Sequence, residues 1–144
     1  MSEPQEEITL RKYEKPSVLK GRELVRKFCL SFGLLQPNDG RDVIVSVVST
    51  LLNSKVPLSQ SEIAHVINSS GKPSAHSNIR RQMSRLSAAK LLEKHGTKYA
   101  LRPLHIAADE HEKLYVPAIL ERVKEYCHEL EKVRCGDENG SKKQ

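Results

Sequence analysis

The pattern of apolar and polar positions is sharpest between Ser59 and Arg102. Ser59-Gln60-Ser61-Glu62 has capping-box spacing, in which a hydroxyl and a carboxylate three residues later satisfy free amide hydrogens reciprocally. Ile63, Val66 and Ile67 then recur at i, i+3 and i+4 and predict one apolar stripe of a helix. The stretch from Asn68 to Pro73 ends it, because Gly71 tolerates left-handed backbone and Pro73 has no amide hydrogen. A second helix is predicted from Ser74 or Ser77, with Ala75, Ile79, Met83 and Leu86 on its buried face. A rotation of about 100° per residue turns Ser74, Ser77, Arg81, Ser84 and Arg85 to the opposite face. Asn78 and Arg80 lie at the edges of that face, and Gln82 sits nearer the buried stripe. Two short runs, 91–95 and 98–102, flank Gly96-Thr97 and predict a hairpin with a type II′ turn. This register sets Leu92 opposite Leu101 and projects a basic tip of Lys94, His95 and Lys98.

The flanks read as helices. Pro16 bounds a polar stretch, 1–15, expected as a disordered tail. Ser17 can cap a helix over 17–36, apolar on more than one side toward its end, so another helix, from this chain or a second subunit, is expected to cover it. Residues 36–40 (QPNDG) break the pattern. The run 41–54 is rich in β-branched residues, yet it exceeds normal strand length, which favours a helix. Residues 103–110 are expected to form a linker containing a helical turn. A long helix follows over 114–135, with Pro117 in its first turn and Gly136 as its stop. Residues 137–144 are expected as a second disordered tail. Val116, Leu120, Val123, Cys127 and Leu130 alternate at four and three residues along that helix, the seam of a helix packing along another. The partner helix is either 17–36 of the same chain or the equivalent helix of a second copy.

Charge sharpens the picture. The net +6 is unevenly spread: −1 over residues 1–15, +2 over 16–71, +7 over 72–102 and −2 over 103–144. The predicted second helix and hairpin thus carry more than the whole net charge, the electrostatic footprint of a polyanion partner. The outward face of that helix holds guanidinium, amide and hydroxyl groups and no carboxylate, the groups that contact base edges and phosphates.

Enzyme signatures do not appear. No Gly-rich phosphate loop with its Lys and no nucleophile elbow is present. His111-Glu112 opens like a zinc-protease motif, but Tyr115 stands where the second His belongs. The histidines lack metal-ligand spacing. Cys29, Cys127 and Cys135 are an odd, widely spaced set, which implies reduced and mostly packed thiols, with Cys135 the candidate for intermolecular pairing. Neither a bilayer-spanning apolar run nor a signal peptide is seen, so the expected location is cytoplasmic.

Helix, turn, helix and a basic hairpin resemble the winged helix-turn-helix domain of transcription regulators, over roughly residues 41–102. The resemblance implies a mainly α fold with a small β-hairpin and added N- and C-terminal helices. It also implies a brief third strand near 56–58, a recognition helix at about 74–87 and a wing tip at 95–98. The layout is similar to MarR-type regulators, which dimerise through their terminal helices. The wing here is shorter and lacks that family's Asp-x-Arg pattern. The expected function is a homodimeric, double-stranded DNA-binding transcription regulator without cofactor or metal. In this reading Arg80, Arg81 and Arg85 contact phosphate or guanine. Asn78 and Gln82 pair with adenine edges, Ser74, Ser77 and Ser84 lie against the backbone, and Lys94, His95 and Lys98 form the wing contact. The alternative is a winged-helix protein-interaction module within a transcription, replication or RNA-processing assembly.

Overall fold

The β-branched run near residue 45 folds as a helix, and the rest of the core is built around it. The computed structural model describes residues 3–135, mainly helical with one small antiparallel sheet. Residues 8–107 form one compact unit, and 108–135 belong with 3–7 to a second. In the first unit the order is α1 (Gly21–Ser31), α2 (Val43–Asn53), β1 (Leu58–Ser59), α3 (Gln60–Asn68), α4 (His76–Ala88), β2 (Leu92–His95), β3 (Lys98–Leu101) and the start of α5 (Leu104–Glu110). Ile44, Val45, Val47, Val48 and Leu51 of α2 are all buried, and α2 packs on α1, α3, α4 and β3. A β-branched residue costs a helix up to about 0.7 kcal/mol, whereas full burial of such a side chain contributes about 1.5–3 kcal/mol. Burial therefore decides the conformation.

The apolar C-terminal half of the first helix is covered by α2 of the same chain. That helix is shorter than the predicted 17–36. Pro16–Val18 is a separate 3-10 turn. At the other end Gly33 takes φ +72°, and a Schellman closure forms: Leu34 N–H donates to the Cys29 carbonyl at 2.9 Å and Gly33 N–H to that of Leu30 at 3.3 Å. The apolar residues beyond, Leu34 and Leu35, are buried, but as loop rather than helix. The expected N-terminal tail is also corrected in part. Arg11 donates through its guanidinium to the carbonyls of Leu30 at 2.8 Å and Leu35 at 2.9 Å, and to Gln36 Oε1 at 2.6 Å. Tyr13 packs against the core, with the Lys27 ammonium 4.8 Å from its ring centre. Residues expected in a disordered tail instead satisfy carbonyls at the end of α1 and in the loop after it.

The capping box forms as predicted: Glu62 N–H donates to Ser59 Oγ at 3.1 Å, and Ser59 N–H to Glu62 Oε1 at 2.8 Å. Ile63 and Ile67 are buried with Ala64, while Val66, expected on that stripe, is 45% exposed. The sheet order is β1-β3-β2. Leu92 pairs with Leu101 and His95 with Lys98, and Leu58 and Ser59 of β1 pair with Tyr99 and Lys98. Gly96 has φ +68°, as the first central residue of a type II′ turn requires.

The expected linker is helical from Leu104 and passes through a π turn, His111–Tyr115, into α6 (Val116–Cys135). Pro117 is the second residue of α6. It has no N–H to give and its ring needs room, which a wider turn supplies. Val116 is half-buried, and Leu120, Val123, Tyr126, Leu130 and Val133 of α6 are exposed. The predicted stop at Gly136 and the tail 137–144 lie outside the described residues. Cys29 is fully buried, and burial pushes its thiol up to about 12. Cys127 and Cys135 are exposed, so most of the thiols are not packed as expected. No helix among the described residues is long and apolar enough to cross a membrane.

Candidate nucleic-acid interface

Helix α4 is held on one side by Ile79, Met83 and Leu86, all buried. It begins at His76, with Ala75 as its exposed N-cap and no side-chain cap bond. Ser74, one of the two predicted helix starts, lies before the helix and gives its N–H to Asn68 Oδ1 at 2.8 Å. The far end closes as α1 does: Leu91 N–H reaches the Leu86 carbonyl at 3.1 Å and Lys90 N–H that of Ser87 at 3.0 Å. Here the left-handed position is taken by Lys90, φ +65°.

The predicted contact residues on this helix separate into two rows. The inner row is a chain of amides and guanidinium. Asn78 Oδ1 accepts from Arg81 at 2.8 Å and from Gln82 Nε2 at 3.1 Å, and Asn78 Nδ2 donates to Ser74 Oγ at 3.3 Å. Gln82 Oε1 accepts from Arg85 at 3.0 Å, and Arg85 also donates to the Gly33 carbonyl at 3.3 Å. Gln82 is only 8% exposed. Its assignment to an adenine edge is therefore corrected: it lies against the core and links Asn78 to Arg85. Arg85 is half-buried and fastens α4 to the loop after α1. The outer row is Ser77, Arg80, Arg81 and Ser84, all exposed. Among the described residues neither Arg80 nor Arg81 pairs with a carboxylate.

At the hairpin tip, Lys94, His95 and Lys98 are exposed. His95 Nε2 lies 2.9 Å from Glu93 Oε1, Lys98 Nζ is 3.6 Å from Glu62 Oε1, and Lys94 Nζ is 5.9 Å from the centre of the Tyr99 ring. The two carboxylate pairs lie in solvent and contribute little, so a stronger anion can replace the acidic partner. The Ser59 backbone N–H, with the Ser59 hydroxyl and Lys98, holds the Glu62 carboxyl below its ordinary value.

No family model, curated protein or solved structure matches this chain. Any reading of the surface therefore rests on its chemistry.

Two basic residues outside the predicted set adjoin it. Arg41, just before α2, and Lys72, in the turn between α3 and α4, line a groove of about 590 Å³ together with Ser77, Asn78 and Arg81. The run of +7 over 72–102 already counts Lys72. Arg41 carried no signal, because its place beside α4 depends on how α2 packs. No group of three His, Cys, Asp or Glu side chains among the described residues could hold a metal ion.

Proposed function

We propose that this protein is a double-stranded DNA-binding winged-helix protein acting as a homodimeric transcription regulator. The observation that carries the reading is the outer row of α4. Arg80 and Arg81 stand exposed between hydroxyls, on a helix whose other face is locked into the core. Such a helix can present guanidinium groups to a major groove without losing its own packing. The order helix, short strand, helix, helix, hairpin and the sheet order β1-β3-β2 support α4 as recognition helix and the 95–98 turn as wing. The exposed stripe on α6 supports pairing with a second copy.

The test is fluorescence anisotropy on random-sequence duplex DNA at two salt concentrations, with mass determination alongside. Affinity that falls steeply with salt is expected, because each neutralised phosphate releases counterions and adds about 0.9 to the log–log slope. A protein-interaction module is favoured by a different observation, the apolar residues exposed on α6. No binding at low salt, with a stoichiometric protein partner on purification, would transfer the assignment to that reading.

A further inference from the structure

We propose that the groove between the starts of α2 and α4 is a phosphate-binding site whose ligand is a backbone phosphodiester of the bound duplex. The proposal rests on the DNA-binding reading and deepens it, adding Arg41 and Lys72 to the residues that hold the nucleic acid.

Three cations reach this groove from three separate elements: Arg41 from the loop before α2, Lys72 from the turn before α4, and Arg81 from α4 itself. The hydroxyls of Ser46 and Ser77 stand in its walls, adding neutral donors. One carboxylate, that of Asp42, also lines it, but its charge is already taken. Asp42 Oδ2 lies 3.0 Å from the Arg22 guanidinium and 3.7 Å from that of Arg26. Arg41 and Lys72 are exposed and, among the described residues, neither is paired with a carboxylate.

Three like charges facing one space repel one another, and an anion placed between them converts that repulsion into attraction. A guanidinium offers two parallel donors to phosphate oxygens, and an ammonium offers a compact point charge. The groove is open to solvent, so it admits a phosphate that belongs to a larger molecule. A phosphate seated there lies beside the first turn of α4, next to Ser77. It would set the depth and direction at which Arg80 enters an adjacent groove of the duplex. Contacts of this kind position the protein without reading sequence.

The salt dependence of duplex affinity tests the proposal. Arg41→Gln and Lys72→Gln are compared with the wild type between 50 and 200 mM salt, on two unrelated duplexes. Each substitution is expected to lower the slope by about 0.9, so each variant loses roughly 3.5-fold less affinity over that range. The weakening at low salt is expected to be equal on both duplexes. Wild-type binding with unchanged slopes in both variants would overturn the groove while leaving the DNA-binding reading intact. A second arm separates the two sources of phosphate. Melting temperature is measured in inorganic phosphate and in chloride at equal ionic strength, for the wild type and the double variant. If the wild type binds no duplex, phosphate stabilisation that the double variant lacks would keep the site and make its ligand a small phosphorylated molecule. With neither duplex binding nor phosphate stabilisation, the site is refuted.

Discussion

At the scale of single residues, Gly33 shows how much of the packing depends on an atom that is missing. It closes α1 in the left-handed region at φ +72°, and a Cβ built there would lie 2.5 Å from Thr9 Cβ and 2.9 Å from Thr9 Cγ2. Gly33→Ala therefore incurs two costs. Left-handed backbone disfavours an L residue by about 1–2 kcal/mol, and overpacking adds about 1–3 kcal/mol. We expect urea denaturation to show a loss of about 2 kcal/mol or more. Adding Thr9→Gly removes the side-chain overlap but not the backbone cost, so the double variant should regain only part of the loss. Full recovery, or no recovery at all, would contradict this division. Gly33 was legible as a glycine but not as a helix stop, because Leu34 and Leu35 continue the apolar pattern past it. The seat of Thr9 depends on contacts more than twenty residues apart, which no local pattern carries.

At the scale of elements, the Ser59–Glu62 capping box and the hairpin turn were legible, whereas the N-termini of α1 and α4, whose N-caps Lys20 and Ala75 make no side-chain cap bond, and the sorting of polar side chains were not. The capping box, the hairpin register and the helical reading of 43–53 follow from spacing and length. Gln82 shows the limit: the helical wheel put it near the buried stripe, and only tertiary packing decides which side of that boundary it falls on. The two rows of α4 lead to opposite predictions. Arg81→Ala is expected to weaken duplex binding by about 1–3 kcal/mol if Arg81 reads a base, with little change in melting temperature. Gln82→Ala is expected to lower the melting temperature, because it strips Arg85 and Asn78 of a partner at the edge of the core. A gel-shift titration and a thermal melt of both variants check the pair, and the reverse pattern would mean the rows are misassigned. The capping box adds a pH dependence. Hydrogen bonds from Ser59 lower the Glu62 pKa from its ordinary 4.5. Its stabilisation is therefore complete above about that pH and is lost as pH falls through the lower, folded value. Glu62→Gln keeps a cap acceptor but cannot titrate. The melting curves of variant and wild type should differ at pH 7 and converge as the pH falls below the folded-state pKa of Glu62, and a constant gap would assign the difference to something other than the carboxylate.

At the scale of the whole molecule, the uneven charge was the most legible property, and self-association is the one that the second unit now makes testable. Along α6, Val116, Leu120, Val123, Cys127 and Leu130 recur at alternating four- and three-residue steps, the a and d positions of a heptad, and Ile119, Tyr126 and Val133 widen the stripe. The flanking ion pairs, Arg122 with Glu125 at 2.7 Å, Lys132 with Glu129 at 3.0 Å and Arg134 with Glu131 at 3.4 Å, all lie within the helix and at its surface. Exposed pairs of this kind contribute a few tenths of a kcal/mol, whereas each apolar CH₂ removed from water contributes about 0.8 kcal/mol. The stripe, not the charges, would therefore drive association. It is less than three heptads long, so the dimer is expected to dissociate on dilution, with a mass that rises from monomer to dimer as protein concentration increases. Leu130→Glu places a carboxylate in the seam of both copies and should give monomer at every concentration. Because Leu130 is already 66% exposed, the variant should keep its helical circular dichroism. Analytical ultracentrifugation across a hundred-fold range of concentration decides it. A dimer that survives Leu130→Glu would place the interface elsewhere, and a wild type that stays monomeric throughout would leave the α6 stripe to a different protein.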